Sequence, residues 1–214
     1  GLSSFDSRHR LVVSLLSDLP FGKGQRWLNG SGVASTIFGD WHFSAIWTSQ
    51  SGQPFTINRA VDQSGTGNFF LAKTDRPNQI SDPFTPGPVL NHPDPACHLT
   101  TSNGGRAPTV VRDASAWFNP CAFAPPSRFG NAGRNSITGP TLNNLDLALT
   151  KNIPLASDTR HLDLRFEMFN VFNHPNLDLP DRIYDSPTFG RVRSANAFGG
   201  HPPRQIQLGL RYVF

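Results

Sequence analysis

The chain lacks any apolar run long enough to form a membrane-spanning helix. Across its 214 residues, charged side chains make up only 16%, and methionine occurs once. A transmembrane helix needs about 20 consecutive apolar residues, so the absence of such a run excludes that class of membrane protein. It does not exclude a transmembrane β-barrel, because barrel strands are short, alternating and weak in mean hydropathy.

The sequence also lacks the motifs of common catalytic, cofactor and nucleic-acid sites. It contains no Gly-x-Ser-x-Gly elbow, and Gly22-Lys23-Gly24 and Gly30-Ser31-Gly32 lack the third glycine of a dinucleotide-binding loop. The net charge of +4 is scattered, and clusters such as Arg8-His9-Arg10 are too short for a nucleic-acid footprint. We therefore expect no enzymatic activity, no cofactor and no nucleic-acid partner.

Only two cysteines are present, Cys97 and Cys121. A disulfide between them would stabilise the intervening loop by on the order of 3 kcal/mol and would favour an oxidising compartment. Two free thiols are the alternative.

Metal-binding patterns are weak. His92, Asp94 and His98 lie near Cys97 without the spacing of a zinc site, and a solvated loop is the simpler interpretation. The segment from Asp62 to Asn68 is rich in oxygen ligands but misses the EF-hand spacing. We expect no metal site.

What the sequence contains instead is alternation of apolar and polar residues with a period of two, which is typical of strands with one apolar face. Five segments show it, with a short sixth at Phe189 to Arg193: His9 to Leu19, Val33 to Ile57, Leu142 to Ile153, Arg160 to Phe172, and the segment from Arg204 onward. The five reach the 9–11 residues that cross a bilayer, whereas strands of soluble proteins average about five or six. The pattern predicts an all-β fold, an antiparallel up-and-down meander of 5–6 long strands forming part of a transmembrane β-barrel.

The connections between these segments differ greatly in length. Pro20 to Gly32 and Pro154 to Asp158 are short, whereas 58–141 and 173–203 are long, irregular and rich in proline and glycine. Outer-membrane barrels have short periplasmic turns and long extracellular loops. If Phe214 lies at the periplasmic edge, both short turns fall in the periplasm and both long loops fall outside. We treat residues 1–214 as one barrel segment.

The alternation also predicts which side chains share a face. In a barrel the apolar face contacts lipid and the polar face lines the lumen. The residues predicted to face the lumen are Asp40, His42, Asp146, Asp163, Arg165, Glu167 and Arg211. The alternative is a soluble or surface-attached β-sandwich that binds a carbohydrate or a protein, in which a second layer covers the apolar face. Five strands cannot close a barrel without unpaired backbone groups, so we expect further strands upstream in a longer parent chain. The start at Gly1 rather than Met agrees with a mature or truncated piece.

The last strand resembles the closing strand of bacterial outer-membrane barrels, because it alternates regularly and ends on an aromatic residue. In those proteins this pattern is read by the barrel-assembly machinery. The resemblance implies an assembly signal formed by Gln207, Gly209, Leu210, Tyr212 and Phe214.

A longer series of short motifs is similar to the C-terminal barrel of TonB-dependent outer-membrane receptors, especially the Oar-like group with a carboxypeptidase-regulatory-like N-terminal domain. The motifs follow the family's order over nearly the whole chain: Phe5 to Arg10, Leu19 to Gly22, Ser49 to Phe55, Arg76 to Asn78, Trp117 to Pro120, Phe129 to Asn135, Asn144 to Asp146, Phe169 to Asn176, Phe189 to Val192 and Pro203 to Ile206. The cysteine pair has no counterpart in the resemblance.

The resemblance implies an outer-membrane barrel of about 22 strands, filled by an N-terminal plug and energised by the TonB complex through that N-terminal region. Such receptors import scarce ligands, namely siderophores, cobalamin, glycans or peptides. The plug and the TonB-contact segment are missing from this sequence, so this piece alone should not transport anything. Outer-membrane lipid, the barrel-assembly machinery and the imported ligand are the other expected partners.

The candidate ligand contacts are aromatic, amide and guanidinium groups of the long loop, on the expectation that these groups are exposed. They are Trp117, Phe118, Asn119, Arg128 and Arg134. The alternative is that they pack the loop against itself.

Overall fold

A computed structural model describes residues 1–22, 24–30, 32–67, 75–155, 160–195 and 202–214. Most regular structure in these ranges is strand, with a single α-helix, α1 (Val33–Phe38), and three short 3-10 helices. The strands in chain order are β1 (Arg10–Asp18), β2 (Trp41–Gln50), β3 (Pro54–Phe55), β4 (Asn78–Gln79), β5 (Phe123–Ala124), β6 (Ile137–Thr138), β7 (Leu142–Pro154), β8 (His161–Phe169) and β9 (Gln205–Val213). Within the described ranges, no helix has both the length and the apolar character needed to cross a membrane.

The chain divides into two compact units. The sheet unit comprises Arg10–Gln50, Leu142–Asn176 and Gly199–Phe214, and the loop unit comprises Gly1–His9, Ser51–Thr141 and Leu177–Phe198.

The sheet unit contains one antiparallel sheet in the order β1-β2-β7-β8-β9, so the five long strands pair in chain order. Their lengths are 9, 10, 13, 9 and 9 residues. The predicted meander of long strands is therefore confirmed, and the sheet is open rather than closed into a barrel.

The register of this sheet joins the apolar positions of all five strands. One row runs across the whole sheet through Leu15, Ala45, Leu147, Met168 and Ile206, each paired with the next. Because a shift of one residue would move a strand's side chains to the opposite face, this register keeps the two faces distinct. We call them the apolar face and the polar face. The apolar face comprises Leu11, Val13, Leu15, Trp41, Phe43, Ala45, Trp47, Leu145, Leu147, Leu149, Ile153, Leu162, Leu164, Phe166, Met168, Ile206, Leu208, Leu210 and Tyr212, together with the polar residues Ser17, Ser49, Asn143 and Lys151.

Much of the apolar face is exposed. Leu15 is 54% exposed, Leu208 81% and Leu210 68%. A soluble sandwich covers such a face with a second layer of side chains, whereas a monomeric soluble protein rarely exposes a large contiguous apolar surface. The described residues of the sheet unit do not form a sandwich, and the exposure matches a face that meets lipid.

The segment before β2 differs from the prediction. The alternation predicts that Val33 to Phe38 begins the second strand, but this segment forms α1, and the strand starts only at Trp41. Gly32 and Gly39 flank the helix, and the Lys151 ammonium donates hydrogen bonds to the carbonyls of Ile37 and Gly39. A six-residue helix is marginal by itself, so this tertiary contact decides its conformation and local alternation is overridden.

The predicted second strand also ends too late. β2 ends at Gln50, whereas β3 belongs to the loop unit and pairs with β6. Between them lies Gly52, where a Cβ atom would lie 1.8 Å from the carbonyl oxygen of Gly139. This close approach of two backbones requires glycine and interrupts the strand.

The loop unit corrects the expectation of structureless connections. It has a buried aromatic cluster and a smaller apolar cluster around the cysteines, and its regular elements are β3 to β6 and the three 3-10 helices. The residues of the main cluster are Phe55, Ile57, Phe118, Ala122, Phe123, Ala132, Ile137 and Phe189. The predicted sixth strand at Phe189 to Arg193 is absent from these described residues, because Phe189 instead turns into this core.

Candidate functional site

The polar face carries a row of alternating charges along β8. His161 Nε2 lies 3.7 Å from an oxygen of Asp163, and Arg165 Nε lies 3.4 Å from an oxygen of Glu167. The Asp163 carboxylate also accepts a 3.0 Å hydrogen bond from Asn152 of β7. Partly exposed pairs of this kind contribute little stability, so the row matters mainly as a charged surface on one side of the sheet.

The other predicted charged positions fall on or near this face, with one exception. His42 Nδ1 lies 2.5 Å from Asp18 Oδ1 across the β1–β2 pair, and Arg211 stands opposite Asp163 in the β8–β9 pair. Asp40 was predicted to line the polar face from a strand, and that placement is wrong. It precedes β2 with a left-handed φ of 57°, in the turn that leads from α1 into the strand.

Asp146 anchors a polar network at the end of the sheet from which the long connections leave. Its Oδ1 accepts hydrogen bonds from Asn144 Nδ2 at 2.8 Å and from the backbone N–H of Asn170 at 2.9 Å. Asn170 is 1% exposed and has a left-handed φ of 49°. Its side-chain amide donates to the carbonyls of His174 and Pro202 and accepts from the His174 N–H, which holds the start of the β8–β9 connection.

The closing strand β9 contributes to both faces. Gln207 and Gly209 lie on the polar face opposite Glu167 and Arg165, while Leu210 and Tyr212 lie on the apolar face. The rings of Tyr212 and Phe214 stack with centroids 5.7 Å apart. None of these contacts bears on the assembly signal, which remains a prediction.

Two of the five loop residues predicted to be exposed ligand contacts are buried, so the prediction is wrong for them. Phe118 is 0% exposed, and its ring lies edge-on to Phe189 with centroids 5.0 Å apart. Asn119 is 1% exposed, donates to the carbonyls of Thr85 and Gly87, and accepts from the Cys121 N–H. Both side chains pack inside the loop unit and stabilise it. Neither is available to a ligand, because protein atoms already surround it.

The remaining three candidates lie nearer the surface. Trp117 is half-buried against the aromatic cluster, and its indole N–H donates to the Thr138 carbonyl at 2.8 Å. Arg128 is exposed, with its guanidinium 5.2 Å from the ring centroid of Phe129. Arg134 is also exposed. Of the five, only the two arginines present side chains that are free to meet a ligand from solvent.

Cys97 and Cys121 form a disulfide, with their Cα atoms 5.5 Å apart. Both are buried beside Val89 and Ala107. The bond links the two 3-10 helices Pro95–His98 and Pro120–Ala122.

The polar side chains near the disulfide are structural. His92 Nε2 lies 2.8 Å from the Phe123 carbonyl oxygen, and His98 Nε2 lies 2.9 Å from the His92 carbonyl oxygen. The Ala96 N–H and Arg106 both bond to Asp94 and hold its pKa below the ordinary value of 3.8. Among the residues that the structure describes, no group of three or more His, Cys, Asp or Glu side chains is arranged to hold a metal ion.

An ion pair that the sequence did not reveal ties together two distant segments of the loop unit. Arg59 donates to Asp185 at 2.9 Å and to Gln63 at 3.0 Å, and its guanidinium lies 5.6 Å from the ring centroid of Tyr184. Burial raises the pKa of Tyr184 above its ordinary value of 10.0. No local pattern signals this contact, because its partners are separated by more than a hundred residues.

Asp181 forms a second hydrogen-bonded centre in the same unit. Its carboxylate accepts from the hydroxyls of Ser186 and Thr188 and from the Ile183 N–H. Burial by itself raises the pKa of Asp181, but these hydrogen bonds outweigh it and hold the pKa below 3.8.

A family profile described as "Outer membrane beta barrel domain" matches residues 1–207. The chain belongs to this family. No curated protein and no solved structure matches the chain significantly. The predicted location in the bacterial outer membrane is thereby confirmed.

As an outer-membrane β-barrel domain, the chain forms only part of a barrel wall. Its edge strands β1 and β9 each pair on one side only among the described residues. Unpaired backbone N–H and C=O groups are very costly in hydrocarbon, so a membrane-inserted form of this sheet requires additional strands at both edges.

The outer-membrane β-barrel domain also carries one cation on its apolar face. Lys151 is 5% exposed, and its ammonium bonds to α1 carbonyls and lies 5.4 Å from the ring centroid of Trp41. These contacts satisfy the charge where lipid would not. The sequence analysis missed this residue, although a single Lys in an alternating apolar series was a signal that could have found it.

Proposed function

We propose that this chain forms part of the barrel wall of a TonB-dependent receptor that imports a scarce ligand across the outer membrane. The ordered series of Oar-like motifs supports the receptor class. The observation that carries the proposal is that the long connections are folded. They form a disulfide-linked unit with an aromatic core. A passive pore needs no such unit, whereas a receptor needs a stable surface on which to select its ligand.

In this proposal the apolar face contacts lipid and the polar face lines the lumen. The lumen then carries His42, Asp146 and the alternating charges of β8, with Arg211 beside them. Since outer-membrane barrels place their long connections on the cell exterior, the loop unit is extracellular and Arg128 and Arg134 are its candidate ligand contacts. The role is import rather than catalysis.

The proposed partners follow from this arrangement. Outer-membrane lipid covers the apolar face, and the barrel-assembly machinery reads the closing strand through Gln207, Gly209, Leu210, Tyr212 and Phe214. The TonB complex would act on the N-terminal region of the natural gene product. The five long strands of this chain form an open sheet, so the chain by itself is not competent for transport.

The decisive experiment uses the natural gene product that contains this chain. We expect it to include a plug and a TonB-contact segment and, after purification in detergent, to bind the purified periplasmic domain of TonB. A variant that lacks only the contact segment should lose this binding while it keeps the heat-dependent gel mobility of a folded barrel. A gene product without a plug, or a folded barrel that does not bind TonB, would refute the receptor assignment and leave the outer-membrane location intact.

A further inference from the structure

The polar face carries a cavity of about 360 Å³ at the end of the sheet from which the long connections leave. A volume of this size lies within the range of about 300–1,000 Å³ that is usual for small-molecule sites. Its lining includes the side chains Asn144, Asp146, Phe169, Asn170, Gln205 and Gln207. These residues come from β7, β8 and β9 and the segment that follows β8, so the cavity lies entirely within the sheet unit.

The lining of the cavity is mostly uncharged, in contrast to the row of charges along β8. Four of its side chains are carboxamides, one is a carboxylate, and no lysine or arginine takes part. The carboxylate of Asp146 already accepts two hydrogen bonds from Asn144 and Asn170. The cavity therefore has no cationic group for an anion, and the Asp146 carboxylate is the single charged group of its lining.

One of the lining residues has a hydrogen-bond acceptor without a partner. Asn144 is 6% exposed and donates its side-chain amide to Asp146, while its Oδ1 is buried and accepts no hydrogen bond. Buried polar atoms are normally paired, because an unpaired one keeps its desolvation penalty. This oxygen has almost no surface of its own, so the groups that a ligand in the cavity can reach are Asp146, Gln205 and Gln207.

Strand β9 contributes two further carboxamides to the lining of the cavity. Gln205 and Gln207 are exposed on the same face of β9, and Gln205 stands directly opposite Phe169 of β8. A carboxamide both donates and accepts, which suits neighbouring hydroxyls that do the same. The ring of Phe169 supplies an apolar surface for the C–H groups of a sugar ring.

We propose that this cavity is a binding subsite for an uncharged, hydroxyl-rich ligand, that is, a saccharide. The proposal rests on the proposed function in one respect, since it takes the polar face to line the path of the imported ligand. The chemistry of the residues that line the cavity reduces the four candidate ligand classes to one, the glycans. A peptide backbone, which also pairs with carboxamides, is the competing ligand, but it offers one N–H donor per residue, whereas each sugar ring offers several O–H donors to the carboxylate and amide acceptors.

The test measures binding by the detergent-purified natural gene product with isothermal titration calorimetry. The probes are maltose, cellobiose and xylobiose, with triglycine as the peptide probe and gluconate as the charged sugar probe. We expect saturable binding of at least one neutral disaccharide, with Kd on the order of 1 mM or tighter. Replacing one glutamine, Gln205→Leu, should weaken that binding by about fivefold, since one hydrogen bond is lost and Gln205 lies outside the assembly signal.

The matched control is Gln50→Leu, which removes the same carboxamide from the polar face of β2 outside the cavity. It should leave the affinity for the disaccharide unchanged, and both variants should keep heat-dependent gel mobility. The proposal is overturned if no neutral disaccharide binds, if triglycine or gluconate binds more tightly, or if the Gln205→Leu variant and the control have equal affinities. Disaccharide binding without TonB binding would refute the receptor assignment but not this site, whereas TonB binding without disaccharide binding would refute this site alone.

Discussion

A charge placed on either face of the same strand provides the sharpest test of what covers the apolar face. Leu147 lies near the middle of the 13-residue strand β7, between Ala45 and Met168 on the same face. Neither neighbour is charged, and the cation on this face, Lys151, would repel a second one. Replacement Leu147→Arg therefore places an unpaired guanidinium near the bilayer midplane, where it costs about 2–4 kcal/mol.

The next residue supplies the control. Ala148 faces the other way, between Ser44 and Glu167, so the guanidinium of Ala148→Arg meets a carboxylate and water. We expect its effect on the free energy of unfolding to stay within about 0.5 kcal/mol. Both variants should be made in the natural gene product and inserted into phospholipid vesicles.

The assay is urea unfolding followed by heat-dependent gel mobility. With a slope of about 2–3 kcal/mol per M urea, Leu147→Arg should lower the unfolding midpoint by roughly 1 M, and Ala148→Arg should leave it in place. If the two variants lose equal stability, or if Ala148→Arg loses more, then lipid does not cover the apolar face and the assignment of the two faces is wrong.

Three further predictions concern the loop unit. Cys97→Ser with Cys121→Ser should cost about 3.5 kcal/mol for residues 24 apart in sequence; unchanged proteolysis of the loop unit in the variant would contradict this. Phe118→Ala should cost about 3–5 kcal/mol because its ring is fully buried, whereas Arg128→Ala should cost less than about 0.5 kcal/mol; similar losses in thermal unfolding would show that the two sites are not as different as the structure indicates. The pKa of Asp181 lies below 3.8 in the folded chain, because its hydrogen bonds outweigh the effect of burial, so its stabilisation is present above pH 3.8 and lost as the pH falls further. Asp181→Asn should therefore flatten the loss of stability as the pH falls below 3.8, and an unchanged acid limb in pH-dependent unfolding would refute this assignment.

The long strands were predictable because each carries its own periodic signal. Alternation in β7 and β8 needs no knowledge of neighbouring strands, and the observed bounds, Leu142–Pro154 and His161–Phe169, lie close to those expected. The pairing in chain order agrees with the up-and-down meander that the alternating segments predict. α1 was not predictable, since its conformation depends on Lys151, which lies more than a hundred residues away.

The loop residues show the opposite situation. Phe118 and Asn119 look like exposed contacts in a segment rich in proline and glycine, and only the packing of Phe55, Phe123 and Phe189 around Phe118 shows that it is a core residue. The cavity with its unpaired Asn144 oxygen is similarly invisible in the sequence. It exists because β7, β8 and β9 place their polar residues side by side.

The amino-acid sequence by itself determined that this protein is built from long two-faced strands, since a period of two is a local property of the backbone. The tertiary structure alone decided which loop residues are core, where the cation on the apolar face finds its partners, and which amides converge on one cavity. Those outcomes depend on contacts between distant segments, for which no local pattern exists.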